Sequence, residues 1–140
     1  MYLEPPDPEL ATRLREVGER WGGRFEVVPT EDWRAVIRAF DGPVVHLTMY
    51  GEPLAKVEPR LASARRILLV VGGAKVPARL YGLATFNVAV GHQPHSEVAA
   101  VAIVLARLRG VPGPGAWPGA RQRIVPQARG KKMVSAGRRA

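Results

Sequence analysis

Residues 87–110 read N-V-A-V-G-H-Q-P-H-S-E-V-A-A-V-A-I-V-L-A-R-L-R-G. Residues 88–90 form a short run rich in valine that ends at Gly91, and from Val98 onward apolar residues recur at helical spacing. The segment therefore predicts a buried strand, a polar loop over residues 91–96 and a helix. In an open parallel sheet, a loop that joins the carboxyl end of a strand to the N-terminus of a helix forms part of the ligand crevice.

Predicted helices and strands alternate along the rest of the chain. The hydrophobic patterns and the Gly, Pro and Thr signals predict helices over residues 8–21, 31–40, 52–64 and 77–83, and strands over residues 25–28, 44–48, 67–71 and 123–125. Pro59 is expected to kink or shorten the third of these helices. The run I-L-L-V-V at residues 67–71 is typical of a central strand covered on both faces. We therefore predict an α/β fold, a mostly parallel sheet with helices on both faces.

Length and composition narrow the class of protein. The 140 residues suit one domain, which we expect over residues 1–126, followed by a basic C-terminal tail at residues 127–140. The absence of cysteine excludes disulfides, thiolate catalysis and cysteine-ligated metal centres. No apolar stretch is long enough to cross a bilayer, and the N-terminus has no signal-peptide pattern, so we predict a cytoplasmic protein with no membrane partner.

Positive charge is concentrated at the C-terminus. Residues 121–140 hold seven basic side chains and no acidic one, whereas the rest of the chain has 14 basic and 12 acidic residues. Such a local excess is the electrostatic footprint expected for a polyanion, and nucleic acid is the first candidate partner. A solvated terminus without a partner is the alternative that charge alone leaves open.

Glycine-containing polar loops follow three successive predicted strands. They cover residues 46–51 (H-L-T-M-Y-G), 71–77 (V-G-G-A-K-V-P) and 90–97 (V-G-H-Q-P-H-S-E). A glycine after a strand is most often only a turn. The pair Gly72-Gly73 matches neither the P-loop nor the dinucleotide fingerprint, which argues against ATP hydrolysis and nicotinamide chemistry.

The histidines and Ser96 also suggest chemistry that we weigh against simpler roles. His92 and His95 are spaced so that both could ligate zinc, with His46 as a third ligand. We favour ordinary hydrogen bonding and predict no metal site, because only Glu97 offers a nearby carboxylate. Ser96 lacks the G-x-S-x-G context of a hydrolase nucleophile and is better explained as a helix N-cap.

Four strings in order carry a family resemblance. V-H-L-T-M-Y-G, V-V-G-G-A-K-V-P, N-V-A-V-G-H-Q-P-H-S-E-V-A-A-V-A and I-V-P-Q-A-R-G-K-K are similar to the corresponding strings of the archaeal tRNA (cytidine(56)-2′-O)-methyltransferases, a family of the SPOUT superfamily. The resemblance covers nearly the whole chain. It implies a C-terminal trefoil knot, S-adenosyl-L-methionine as cofactor, a homodimer, and 2′-O-methylation of a cytidine ribose in the T-loop of tRNA.

The resemblance also implies site residues. Matched to the cofactor-binding loops are Leu47, Gly72, Gly73, Ala74, Lys75, Val76, Val90, Gly91, His92, Gln93, Pro94, His95, Ser96 and Glu97. For RNA binding we expect Arg129, Lys131 and Lys132 of the tail, and Arg60, Arg65 and Arg66 as further contacts with tRNA phosphates.

The chain departs from the family at its start. Family members carry a strand, a basic motif associated with catalysis and a helix before the segment that matches Met1. We therefore assign no catalytic residue and expect either an internal start codon or a truncated form. Two alternatives to the methyltransferase remain open, a non-catalytic tRNA-binding relative and a small nucleotide-binding regulator.

Overall fold

A computed structural model describes residues 1–3, 5–23, 25–72, 75–113 and 117–136. The chain divides into two compact units, one formed by residues 34–111 and the other by residues 1–33 together with 112–140. In chain order, the elements are β1 (Tyr2–Leu3), α1 (Pro8–Trp21), β2 (Val28–Pro29), α2 (Trp33–Ala39), β3 (Val44–Pro53), α3 (Leu54–Leu61), β4 (Leu68–Val70), α4 (Ala78–Leu83), β5 (Phe86–Ala89), α5 (Glu97–Arg109), β6 (Gln122–Ile124) and β7 (Met133–Ser135).

The unit of residues 34–111 is built on a three-stranded parallel sheet with the strand order β4-β3-β5. His46 pairs with Val70 of β4, and Leu47 pairs with Val88 of β5. The parallel sheet is as predicted, but the assignment of its centre is wrong. We expected the apolar run at residues 67–71 to be central, whereas β4 pairs with β3 alone among the described strands and is only half-buried. Strand β3 occupies the centre instead.

Helices cover both faces of this sheet. Val45 and Leu47 of β3 point into a core cluster shared with α3 and α5, where Val57 and Val104 are fully buried. Side chains alternate along a strand, so His46 points to the opposite face, where its ring contacts Tyr81 of α4. This arrangement places α3 and α5 on one face and α4 on the other.

Local signals in the sequence set the ends of α5. The Ser96 hydroxyl accepts a hydrogen bond from the Ala99 N–H at 3.2 Å, which confirms the predicted N-cap. At the other end Gly110 has φ +75°, a conformation that favours glycine. Helix α3 is shorter than predicted. It begins only after Pro53, includes Pro59, and ends two residues later at Leu61. Within the described ranges, no helix has both the length and the apolarity to span a membrane.

Strand β3 is longer than the sequence indicates and contains a bulge. Leu47 and Glu52 both face Val88, so residues 48–51 protrude before pairing with β5 resumes. We expected these residues to form a loop after a strand ending at Thr48. They return to the sheet because Gly51 lies against the Asn87–Val88 peptide, where a Cβ atom would come within 2.5 Å of the Asn87 carbonyl oxygen.

The second unit brings together both ends of the chain. The Asp7 side chain caps α1 by accepting the Leu10 N–H at 2.8 Å. Strands β1 and β2 pair in parallel, whereas β6 and β7 form an antiparallel pair. The Arg121 N–H donates to the Arg20 carbonyl at 3.0 Å, which ties β6 to α1. Strand β7 lies within the segment that we expected to be a tail.

Gly51→Ala is predicted to destabilise the protein. The added methyl group meets backbone atoms of β5 that cannot rotate away, so the free energy of unfolding should fall by about 2 kcal/mol or more. Urea denaturation followed by circular dichroism measures the change. Gly82→Ala is the matched control: a Cβ at Gly82 in α4 has no neighbour within 4 Å. We expect this control to stabilise by up to about 1 kcal/mol, and equal stability of the two variants would contradict the close approach of Gly51.

Candidate active site

Three loops lie at one edge of the parallel sheet. They follow the first part of β3 (residues 48–51), β4 (residues 71–77) and β5 (residues 90–97). Because all three strands run in the same direction, their carboxyl ends share an edge. This edge is the position at which open parallel sheets bind ligands.

A buried polar network supports the first loop. His46 is fully buried, and its Nδ1 lies 2.8 Å from Oδ1 of Asn87. Tyr81 packs edge-to-face on the His46 ring, with centroids 4.8 Å apart, and its hydroxyl lies 3.3 Å from Oγ1 of Thr48. The network therefore connects β3, β5 and α4 to the residue at which the bulge begins.

The network determines the tautomer of the neutral His46 ring. Asn87 donates its Nδ2 hydrogen to the Tyr81 carbonyl at 2.9 Å, so its Oδ1 must accept from Nδ1–H of His46. In the neutral imidazole Nε2 is then the unprotonated acceptor, and it is buried with no hydrogen-bond partner among the described residues. Burial lowers the pKa of His46 below its ordinary value of 6.5, and the hydrogen bond to Asn87 opposes part of that shift.

From the sequence we considered His46 only as the third ligand of a zinc site that we did not favour, and we did not identify Tyr81 or Asn87. The signal was present as a single polar residue between Val45 and Leu47 in an otherwise apolar strand. A buried polar side chain needs partners, so such a residue predicts a hydrogen-bonding neighbour on an adjacent strand. The sequence could not identify that neighbour, because the register of β3 against β5 decides it.

The lowered pKa of His46 predicts a stability that depends on pH. The unfolded chain takes up a proton near pH 6.5, whereas the folded chain does so only at lower pH. The free energy of unfolding should therefore fall as the pH drops from about 6.5 to the folded pKa, and then level off. Urea denaturation between pH 7 and pH 5 measures this fall.

A double variant isolates the contribution of His46. The chain has three histidines, so His92→Gln with His95→Gln leaves His46 as the one imidazole. We expect this variant to keep the fall in stability and to show an NMR titration midpoint below 6.5. A stability that is constant or rises over the same range would contradict a neutral, buried His46.

The third loop is joined to the first by a hydrogen bond. The Nδ1–H of His92 donates to the Met49 carbonyl at 2.9 Å. His95 makes only a long contact, 3.4 Å, with the carbonyl of the adjacent Ser96, and Gln93, Pro94 and Glu97 are exposed. Among the described residues, no group of three metal-ligating side chains is clustered. The loop histidines thus act as hydrogen-bond donors to backbone carbonyls in this structure.

In the second loop, Gly72 lies close to the side chain of Val76. A Cβ atom at Gly72 would lie 2.6 Å from Cγ2 of Val76, so any larger residue there would force the Val76 side chain to move. Lys75 is exposed, and Val76 is half-buried. Two further residues assigned to this loop, Gly73 and Ala74, lie outside the described residues.

A cleft of about 350 Å³ opens beside the third loop. Its walls come from the ends of β3 and β5 and from helices α3 and α5, with the lining residues Pro53, Leu54, Ala55, Ala89, Val90, Gly91, His92, Ile103 and Arg107. Three of the predicted site residues line it, Val90, Gly91 and His92, whereas none of the described residues of the second loop does. Leu47 belongs to the core cluster, so a ligand could reach only its backbone.

The predicted RNA-binding residues belong to different units of the chain. Arg129, Lys131 and Lys132 are exposed in the turn between β6 and β7, in the unit that contains both chain ends. Arg60, Arg65 and Arg66 are exposed in the other unit, between the end of α3 and the start of β4. The three loops lie at the carboxyl edge of the sheet. Arg65 and Arg66 precede β4, which begins at the amino edge.

Comparison with known proteins identifies the family. The sequence model of the family described as tRNA ribose 2′-O-methyltransferase, aTrm56, matches residues 21–134. The chain belongs to this family. The loops and the cleft described above are therefore interpreted as parts of a tRNA ribose 2′-O-methyltransferase.

Curated relatives agree with this assignment. The chain is 41% identical over 135 residues to the tRNA (cytidine(56)-2′-O)-methyltransferase of Archaeoglobus fulgidus, a match that covers 96% of this chain and 80% of the relative. The proteins of the same name from Methanothrix thermoacetophila and Ignicoccus hospitalis are 44% and 45% identical, over 98% and 96% of this chain. The matches span 80% and 63% of those two relatives.

Proposed function

We propose that this protein transfers a methyl group to the ribose 2′-oxygen of cytidine 56 in tRNA. The observation that carries the proposal is the family match over residues 21–134. It is supported by the names of the curated relatives and by three loops that share the carboxyl edge of a parallel sheet. The trefoil knot expected from the resemblance remains part of the proposal.

S-adenosyl-L-methionine is the proposed methyl donor. It supplies an electrophilic methyl group that the ribose oxygen takes in one in-line displacement, with release of the thioether and of the hydroxyl proton. The cleft beside the third loop has a volume within the range of small-molecule sites. Gly91 borders this cleft, and the nearest atom to a Cβ built there is 3.8 Å away, which leaves its backbone open to a ligand.

The loop residues have a positioning role in this proposal. In-line displacement depends mainly on holding the reacting atoms in the correct geometry. The His92–Met49 hydrogen bond fixes the third loop against the first, and the contact of Thr48 with Tyr81 fixes the first loop on α4. We propose that the backbone of these loops, together with Gly72, Lys75 and Val76 of the second loop, encloses the donor.

Gly91→Ala tests the cofactor site without disturbing the fold. The methyl group meets no protein atom closer than 3.8 Å, so the free energy of unfolding should change by no more than about 0.5 kcal/mol. The same methyl group would stand where the donor approaches the backbone. We expect the affinity for S-adenosylmethionine, measured by calorimetry, to fall by about tenfold or more.

Two results would contradict the assignment of Gly91. Unchanged cofactor affinity would show that the donor does not approach this backbone. An equal loss of affinity in Gly82→Ala, which also adds a methyl group in open space, would show that the effect is not local. Gly72→Ala is unsuitable for this test, because its methyl group would collide with Val76.

The turn between β6 and β7 is proposed to hold the RNA. Arg129, Lys131 and Lys132 are exposed, and no ion pair with a described carboxylate neutralises them. Gly130 lies between them with φ +104°, so the backbone makes a sharp turn at the centre of the charge. Unpaired cations on such a turn can meet tRNA phosphates from several directions.

A homodimer is proposed with α5 at its interface. This helix is apolar on nearly all sides: Ala100 and Val104 face the core, yet Val98 is 80% exposed and Leu105 is 48% exposed. Helices of this kind are normally buried on more than one side. We propose a second copy of the chain as the cover, in line with the homodimer that the family resemblance implies.

Methyl transfer to tRNA tests the function directly. An unmodified tRNA transcript should acquire label from S-adenosylmethionine labelled in its methyl group. The same transcript with 2′-deoxycytidine at position 56 should acquire none, because the accepting oxygen is missing. Label on the deoxy substrate would contradict ribose methylation, and tRNA binding with neither cofactor binding nor label would favour a non-catalytic relative.

A further inference from the structure

Three exposed arginines lie at the amino edge of the β4-β3-β5 sheet. Arg60 is in the last turn of α3, and Arg65 and Arg66 precede β4. The amino ends of the strands are held together there, since the Leu68 N–H donates to the Pro43 carbonyl at 3.0 Å. These arginines are therefore at the opposite edge from the three loops of the candidate active site.

Aromatic rings orient two of these arginines. The guanidinium carbon of Arg60 lies 4.4 Å from the centre of the Phe86 ring, and that of Arg66 lies 5.0 Å from the centre of the Phe40 ring. Phe86 begins β5, and Phe40 lies four residues before β3. A guanidinium stacked on a ring keeps its N–H groups free at its rim while losing conformational freedom.

The charge of these arginines is only partly offset by neighbours: the pKa of Glu52 is lowered mainly by Lys56 and to a smaller extent by the charge of Arg60. None of the three makes an ion pair with a carboxylate among the residues that the structure describes. The two glutamates of the same region are already engaged, Glu52 with Lys56 and Glu58 with Arg107. Asp41 is the one acidic side chain between Phe40 and the start of β3. A concentrated positive surface remains.

We infer that this surface, which comprises Arg60, Arg65 and Arg66 with Phe40 and Phe86, is a second contact for the RNA backbone. The inference rests on the proposed function, because the substrate named there is a folded polyanion. The first part of β3 has four residues before the bulge, so the two edges of the sheet are about 13 Å apart. A tRNA is large enough to reach both edges, and the arginine–aromatic surface would hold a part of it away from the reacting ribose.

RNA fits this surface better than a generic anion does. Stacked guanidinium groups offer paired N–H donors to phosphate oxygens, and their planar faces can stack on unpaired bases. Arg65, which has no aromatic partner among the described residues, is free to follow a neighbouring phosphate. The surface therefore provides affinity and docking orientation, with no direct part in methyl transfer.

The triple variant R60Q/R65Q/R66Q tests the surface. Its dissociation constant for a tRNA transcript, measured by fluorescence anisotropy from 50 to 300 mM salt, should rise by about tenfold at physiological salt. The slope of log affinity against log salt should become shallower by about 2. S-adenosylmethionine affinity and kcat at saturating tRNA should stay unchanged, while KM for tRNA rises.

Two controls separate the surface from net charge and from stacking. The variant R13Q/R15Q/R20Q removes the same charge from α1 and should change tRNA affinity much less. R60K/R66K keeps the charge but loses the planar stacking, so it should retain the salt dependence and lose part of the affinity. An equal loss in the α1 variant, or unchanged binding and salt slope in the triple variant, would overturn the inference.

This inference and the proposed function can fail separately. If the wild-type protein labels tRNA and the triple variant binds it as the wild type does, the surface is refuted and the function stands. If the wild-type protein does not label tRNA but the triple variant loses RNA binding with a shallower salt slope, the surface stands and the function is refuted.

Discussion

The pairing of β3 with β5 is the constraint on which the rest of the site depends. Leu47 and Glu52 face the same residue, Val88, and four residues protrude between them. That geometry requires Gly51, since any side chain there would meet the β5 backbone. The protruding residues follow the first part of β3 at the carboxyl edge of the sheet, and α3 begins directly after the strand resumes pairing, at Leu54.

The two faces of the sheet serve different purposes. On the side of α3 and α5, aliphatic side chains such as Val45, Val57 and Val104 form a dry core that stabilises the unit by burial. On the side of α4, His46, Asn87 and Tyr81 form hydrogen bonds that hold the bulge in place. A polar network in a buried position has stricter geometry than apolar packing, because each missing partner is costly. Because Tyr81 contacts Thr48, the network gives the loop of residues 48–51 a defined position.

Exposed cations occur in each of the two units. The turn that carries Arg129, Lys131 and Lys132 and the surface that carries Arg60, Arg65 and Arg66 belong to different units. Neither group is paired with carboxylates among the described residues. Guanidinium and ammonium groups of this kind can contact RNA phosphates without reading the base sequence.

The sequence by itself determined the elements whose signals are local. Helix α5 begins at a Ser96 N-cap and ends at Gly110, and α1 spans residues 8–21, as the patterns predict, because caps and helical periodicity act within a few residues. The family and its proposed chemistry likewise follow from the loop strings. Only the tertiary structure decided which strand is central and where residues 48–51 leave the sheet. It also decided which side chains form hydrogen bonds with His46, and it placed Arg60, Arg65 and Arg66 at the edge of the sheet opposite the loops. Each of these depends on strand register and on contacts between residues far apart in the chain, to which local patterns are insensitive.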